Sequence, residues 1–161
     1  MAKRRNSSKD YLYYLKEALK QARLAEQKDE VPIGAVIVDS TGKIISRAHN
    51  LRESKKSALA HAECLAIEKA TKKLKSWRLI DCELYVTLEP CSMCAGAIQQ
   101  ARIKKVFFGA FDQKAGVISL GIEIHSNPKL NHRFEMQIIE SPECGNILTE
   151  YFKKKRSYSL K

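Results

Sequence analysis

The sequence predicts an α/β fold: a single domain in three layers, α/β/α, with helices on both faces of a mixed sheet of about five strands. Three observations carry this. The chain has 161 residues, a length at which one core can bury most of the apolar surface. Its apolar runs have strand length, and Ile33-Gly34-Ala35-Val36-Ile37-Val38 is almost unbroken, as in a strand covered on both faces. Between these runs the apolar residues recur at the helical period.

The elements follow in order. Leu12, Leu15, Leu19 and Ala22 share one helical face, with Lys16, Lys20 and Arg23 off it. This predicts a helix from about Asp10, as its N-cap, to about Gln27. Pro32 interrupts, and the strands 33–38 and 43–48 flank the turn Asp39-Ser40-Thr41-Gly42 as a hairpin. Residues 50–57 read as a polar loop. A helix begins near His61 and turns Leu65, Ala66, Ile67 and Ala70 inward. Strands at 83–88 and 105–110 enclose a helix that Pro90 opens and that runs to about Arg102. Residues 133–139 alternate like a strand whose rank in the sheet the pattern leaves open. Glu143 to about Lys155 closes the chain as a helix, with Ile147, Leu148, Tyr151 and Phe152 as its apolar stripe. The domain spans 1–161, with 1–9 and 157–161 expected to be flexible basic tails.

Composition narrows the function. No stretch approaches the roughly 20 apolar residues that span a bilayer, and Lys16 and Glu17 cut off the apolar run 11–15 before it could serve as a secretory signal. No membrane association is expected. There are five cysteines, and an odd count without a secretion signal points to a reducing, cytoplasmic setting. Cys64, Cys82 and Cys144 lie in apolar contexts and read as buried small residues. The net charge is +11, with clusters at Lys3-Arg4-Arg5 and at Lys153-Lys154-Lys155-Arg156, which favours a polyanionic partner such as nucleic acid.

The chemistry lies in His61-Ala62-Glu63 and the later Pro90-Cys91-Ser92-Met93-Cys94. One imidazole and two thiols can hold a zinc ion and leave its fourth position to water, the pattern of a catalytic rather than a structural site. Cys91 and Cys94 are three apart, so on a helix they share a face. Pro90 puts them in the first turn, where unpaired N–H groups and the helix dipole favour thiolate. His61 and Glu63 are two apart and reach one site only if they straddle a helix start. Cys-x-x-Cys alone also fits a redox pair, which would leave His61 and Glu63 without a role. Glu63 has two plainer readings: a surface carboxylate in a first turn, or the fourth ligand of a closed site. His-x-Glu with a distant Pro-Cys-x-x-Cys is, taken together, the signature of zinc-dependent nucleobase deaminases.

From about Tyr11 to Arg156 the chain resembles the cytidine deaminase-like superfamily, and within it the bacterial tRNA-specific adenosine deaminases. The matching blocks are Val31-Pro32-Ile33-Gly34-Ala35-Val36, Trp77-Arg78-Leu79-Ile80-Asp81, Leu84-Tyr85-Val86-Thr87-Leu88-Glu89-Pro90-Cys91, Met93-Cys94-Ala95-Gly96-Ala97, Val106-Phe107-Phe108-Gly109-Ala110 and Asn131-His132-Arg133. The resemblance implies a hydrolase that converts adenosine to inosine at the wobble position of a tRNA anticodon, with a tRNA-Arg reading ACG as the expected substrate. It implies one zinc ion per subunit on His61, Cys91 and Cys94 with a bound catalytic water, and Glu63 as the proton shuttle. It further implies substrate contacts from Asn50, the Ala62 N–H and Asp112, and a homodimer. Lys153, Lys154, Lys155 and Arg156 are the candidate tRNA-binding residues. Two alternatives stand beside it: a guanine or cytosine deaminase acting on a free base or nucleoside, and a non-catalytic zinc-stabilised module that binds nucleic acid. His49, His125 and His132 read as structural or surface residues. The chain departs from the family pattern at Ser57-Ala58-Leu59-Ala60, at Phe111 and at Cys64. These departures are expected to touch neither a ligand nor the proton shuttle, and to bear on the pocket rim.

Overall fold

The computed structural model describes residues 8–160. The elements run α1 (Ser8–Gln27), β1 (Gly34–Val38), β2 (Ile44–His49), α2 (Arg52–Lys55), α3 (Ala62–Leu74), β3 (Glu83–Val86), α4 (Ser92–Gln100), β4 (Lys105–Phe108), β5 (Glu135–Ile138) and α5 (Pro142–Ser159). The five strands form one sheet in the order β2-β1-β3-β4-β5. β1 pairs antiparallel with both β2 and β3, while β3, β4 and β5 run parallel. The predicted mixed sheet is therefore present, and the late strand lies at its edge beside β4.

Alternation along the strands builds the layers. Val36, Val38, Tyr85 and Phe107 face α1, where they meet Tyr14 and Ala18. Ala35, Ile37, Leu84, Val86, Val106 and Phe108 face the other way, against Leu65, Ala66, Ala70, Ala95 and Ile98 of α3 and α4. α5 packs beside α1 through Cys144 and Ile147 against Leu15, Leu19 and Ala22. A Cβ at Gly34 would run into the α1 backbone at Ala18 and Ala22, so glycine there lets α1 sit directly on the sheet.

Four expectations need correction. Asp10 is not the cap of α1: the helix already includes Ser8, and Asp10 lies in its first turn, where a carboxylate suits the dipole. Residues 50–57 contain the short helix α2, which no apolar periodicity announces because none of its residues is buried. Of the predicted tails, residues 1–7 and 161 lie outside the described residues, whereas 8–9 and 157–159 are helical. In the apolar stripe of α5 only Tyr151 is buried, and Phe152 is 43% exposed. No helix among the described residues is long and apolar enough to cross a membrane.

Candidate active site

Two helix starts meet at one point. His61 is the N-cap of α3 and Cys91 the N-cap of α4, both in extended conformation. Cys94 follows one turn into α4 and is fully buried. His61 Nδ1 lies 3.7 Å from Cys91 Sγ and 3.5 Å from Cys94 Sγ. The ligand atoms of all three lie within 4.8 Å of one another. A tetrahedral ion with bonds of about 2.3 Å to sulfur and about 2.0 Å to nitrogen spaces S and N about 3.5 Å apart. The donors are thus spaced to hold such a metal ion.

Without the ion the thiols share protons unequally. The Cys94 S–H bond and His61 hold the Cys91 thiol down at about 4. Cys94 is pushed far up by its bonds to Cys64 and Cys91 and by burial. Cys91, as a thiolate, in turn raises the His61 pKa. A metal bound by this set therefore displaces protons as it enters.

Glu63 is the second residue of α3 and is 4% exposed. Burial pushes its carboxyl from 4.5 up to about 7. A carboxyl poised there can both accept and release a proton at neutral pH. The plainer reading of Glu63 as a surface carboxylate does not hold, because the side chain is enclosed.

A cavity of about 870 Å³ opens over these residues. One wall carries Val31, Ile33, Asn50 and Arg52; the second carries residues 110–115; the third is α5, through Leu148, Phe152 and Arg156. Asn50 is buried, and Asn50 Nδ2 donates to Val31 O while Asn50 Oδ1 accepts from Arg52 N. Each end of the amide thus retains one further site for a ligand. Ala62 also lines the cavity, and as the first residue of α3 its N–H has no acceptor within the helix. Asp112 lines the second wall, where Asp112 Oδ1 accepts from the N–H groups of Lys114 and Ala115.

The four basic residues near the C-terminus separate. Arg156 lines the cavity, one helical turn beyond Phe152. Lys154 and Lys155 instead pair with Glu26 at 3.9 Å and Asp29 at 2.6 Å. Lys153 is exposed and off the cavity wall. Four consecutive helical residues point around the axis, so a run of like charge cannot face one partner together.

Two buried carboxylates hold the first two walls, and the sequence pattern passed over both. Glu30, 1% exposed, accepts from the N–H groups of Glu53 and Ser54 and from the Ser54 hydroxyl, so it caps α2. Burial works to raise its pKa, and the bonds from Ser54 and Glu53 outweigh that, leaving a net downward shift. Glu89, 2% exposed, accepts from Asp112 N, Ser119 N and the Ser119 hydroxyl. A Cβ on Gly116 would collide with the Glu89 carboxylate. Only Glu89 carried a signal, an acid between Leu88 and Pro90; Glu30 follows Lys28 and Asp29 and carried none.

The family departures fall unevenly. Leu59 is 65% exposed, and Phe111 is half exposed on the cavity wall. Cys64 does touch a ligand: its Sγ lies 3.9 Å from Cys94 Sγ, and the residue is only half-buried. The expectation that no departure reaches the ligands fails there, because the third residue of α3 faces α4 across the helix pair. The other histidines are engaged elsewhere, His132 with Ile103 O at 2.8 Å and His49 with Gln21 at 3.2 Å, while His125 packs near Phe134.

The model of the MafB19-like deaminase family matches residues 9–156. The chain is 50% identical over 145 residues to the tRNA-specific adenosine deaminase of Bacillus subtilis (strain 168), covering 89% of each chain. A solved structure from studies of A-to-I editing by tRNA:A34 deaminases at the wobble position superposes with a TM-score of 0.80 at 40% identity, over 85% of this chain and 99% of that one. The guanine deaminase of Bacillus subtilis gives a TM-score of 0.62 at 32% identity, over 88% of this chain and 93% of that one. With a cavity floor of His61, Glu63, Cys91 and Cys94 and relatives of this similarity, the chain belongs to the tRNA-specific adenosine deaminase family.

Proposed function

We propose that the protein converts the adenosine at the wobble position of a tRNA anticodon to inosine, consuming water and releasing ammonia, with a tRNA-Arg reading ACG as substrate. The observation that carries this is a buried carboxyl, Glu63, beside three metal-donor atoms at the floor of a cavity far larger than a lone base needs. An anticodon loop presents unstacked bases, so extruding one into such a cavity costs less than from a duplex.

His61, Cys91 and Cys94 would hold one zinc ion per subunit. Zinc in that position supplies Lewis acidity, bringing a bound water's pKa near 7. Glu63 takes the proton of the attacking water and passes it to the ring nitrogen beside C6. That protonation makes C6 electrophilic, the hydroxide adds there, and Glu63 then carries the proton of the new hydroxyl to the amine, which departs as ammonia. The Ala62 N–H donates to the new oxygen on C6. Asn50 uses its remaining donor and lone pair on the purine edge, and Asp112 contacts the nucleotide. Arg156 meets phosphate from the cavity wall, with Lys153, Lys154 and Lys155 adding to the field of the tail. The protein acts as a homodimer in the cytoplasm.

The test is deamination of a purified tRNA reading ACG. Inosine should form at the wobble position, and Glu63→Ala should abolish this while zinc stays bound. The likeness to a guanine deaminase favours one rival, a free-base deaminase. Ammonia released from guanine, with none from tRNA, would establish that rival instead.

A further inference from the structure

Cys94 has a neighbour outside the donor set. The Cys64 Sγ lies 3.9 Å from Cys94 Sγ, at hydrogen-bonding distance for a pair of sulfurs. Cys64 does not belong to the group whose donor atoms all lie within 4.8 Å of one another. Its thiol therefore reaches one ligand and not the place of the ion. That argues against a closed site in which Cys64 is the fourth ligand.

The direction of the bond follows from the metal chemistry. A cysteine that binds zinc does so as thiolate and has no proton to give. In the loaded site Cys64 is thus the member of the pair that donates. Cys94 is 0% exposed, so solvent cannot supply a replacement donor. A buried sulfur carrying negative charge gains more from a hydrogen bond than a neutral group would.

We infer that Cys64 is a positioning residue of the metal centre: its S–H donates to the Cys94 thiolate, fixes the direction of that sulfur and draws charge from it. The bond steadies the ligand and leaves the ion more of its Lewis acidity. Outer groups that bond to metal ligands act in this way on affinity and on electronic structure. The inference rests on the proposed zinc reading and deepens it.

The experiment uses the full-length protein, loaded with zinc for chelator competition and with Co²⁺ for absorption spectroscopy. Cys64→Val fills the space without a donor; Cys64→Ser keeps a donor. Cys64→Val should raise the zinc dissociation constant about tenfold and Cys64→Ser should stay within about threefold of the parent. The thiolate-to-cobalt charge-transfer bands should shift in the valine variant and hold in the serine variant. Equal behaviour of the two variants, in either direction, overturns the role of the hydrogen bond. If Cys64→Val does not fold, Cys64→Ala makes the same comparison with serine. A parent protein that binds neither metal defeats the zinc reading itself, whereas a parent that binds both with an indifferent valine variant defeats only the inference about Cys64.

Discussion

At the floor of the cavity, His61, Glu63, Cys91 and Cys94 stand on the first residues of two helices; at its rim, Asn50, Arg52 and Asp112 stand on short or irregular segments. The floor is held by the sheet. α3 and α4 pack on the same core face, and β3 feeds Cys91 into α4 within a few residues. The rim has less of that support, through Leu51 and Val117. It is held by Glu30 under α2 and Glu89 under residues 112–119, each accepting from two backbone N–H groups and a serine hydroxyl. Where packing cannot fix a segment, a buried carboxylate can, because leaving its partners unpaired costs more than the bonds themselves yield.

This contrast can be broken from either side. The largest effect should come from the floor: Glu63→Ala should lower kcat by at least about 10³-fold with little change in substrate affinity, since general acid–base groups contribute on this scale. Single-turnover deamination of the ACG-reading tRNA checks it. A rim carboxylate should behave differently. Glu89→Gln keeps the shape but weakens three bonds, and should raise KM for tRNA about tenfold while leaving zinc content unchanged, as expected for a charged acceptor worth about 1.5–3 kcal/mol per bond when lost. An equal fall in zinc content would mean that floor and rim are one unit.

A third effect concerns stability. The Glu63 carboxyl is raised in the fold, to about 7 from 4.5. Between those values the native state binds more protons than the unfolded chain, so this group's contribution to stability falls as pH rises from about 4.5 through about 7. The penalty reaches up to about 3 kcal/mol above pH 7. Glu63→Gln should therefore melt higher than the parent at pH 8, with the advantage shrinking as pH falls toward 4.5. Calorimetry on the metal-free protein measures this without the charge of the ion. Gly116→Ala should cost about 1–3 kcal/mol by overpacking against Glu89, read as a lower denaturant midpoint. The smallest effects belong to the basic residues of α5. Arg156→Ala should weaken tRNA binding more than Lys154→Ala and should flatten its salt dependence by about one counterion. Fluorescence anisotropy across a salt series distinguishes the two.

The sequence was most readable where chemistry and periodicity coincide. The floor could be found because His61, Cys91 and Cys94 are metal-binding residue types at helix starts with Glu63 beside them, and helix starts leave a periodic signal. The core strands were legible for a similar reason: Val36, Ile37, Leu84 and Val86 are apolar because both faces of the sheet are covered. The rim was not. Arg52 to Lys55 form a helix without one buried residue, so no apolar spacing marks it. Glu30 and Glu89 look like ordinary surface acids until the fold encloses them. Phe152 falls on the apolar spacing of α5 and still faces the cavity, because periodicity reports a face and not what lies opposite it. Lys153 to Arg156 read as one cluster, yet the helix turns Arg156 toward the cavity and gives Lys154 to Glu26 of α1 and Lys155 to Asp29 just past its end.

Asp29 and Glu30 are consecutive residues just past the end of α1. Asp29 accepts from Tyr151 and Lys155 of α5, and Glu30 accepts from α2. Asp29 sits in the left-handed region, with φ of 58°, a conformation aspartate tolerates better than most residues. Two sides of the cavity mouth are thereby referenced to a single peptide unit, like two arms of a caliper sharing one pivot. This joint ties α5 to α2 directly, in addition to the packing of α5 on α1. Inserting or deleting one residue between 28 and 31 should change which lengths of nucleic acid enter while leaving the metal donors where they are.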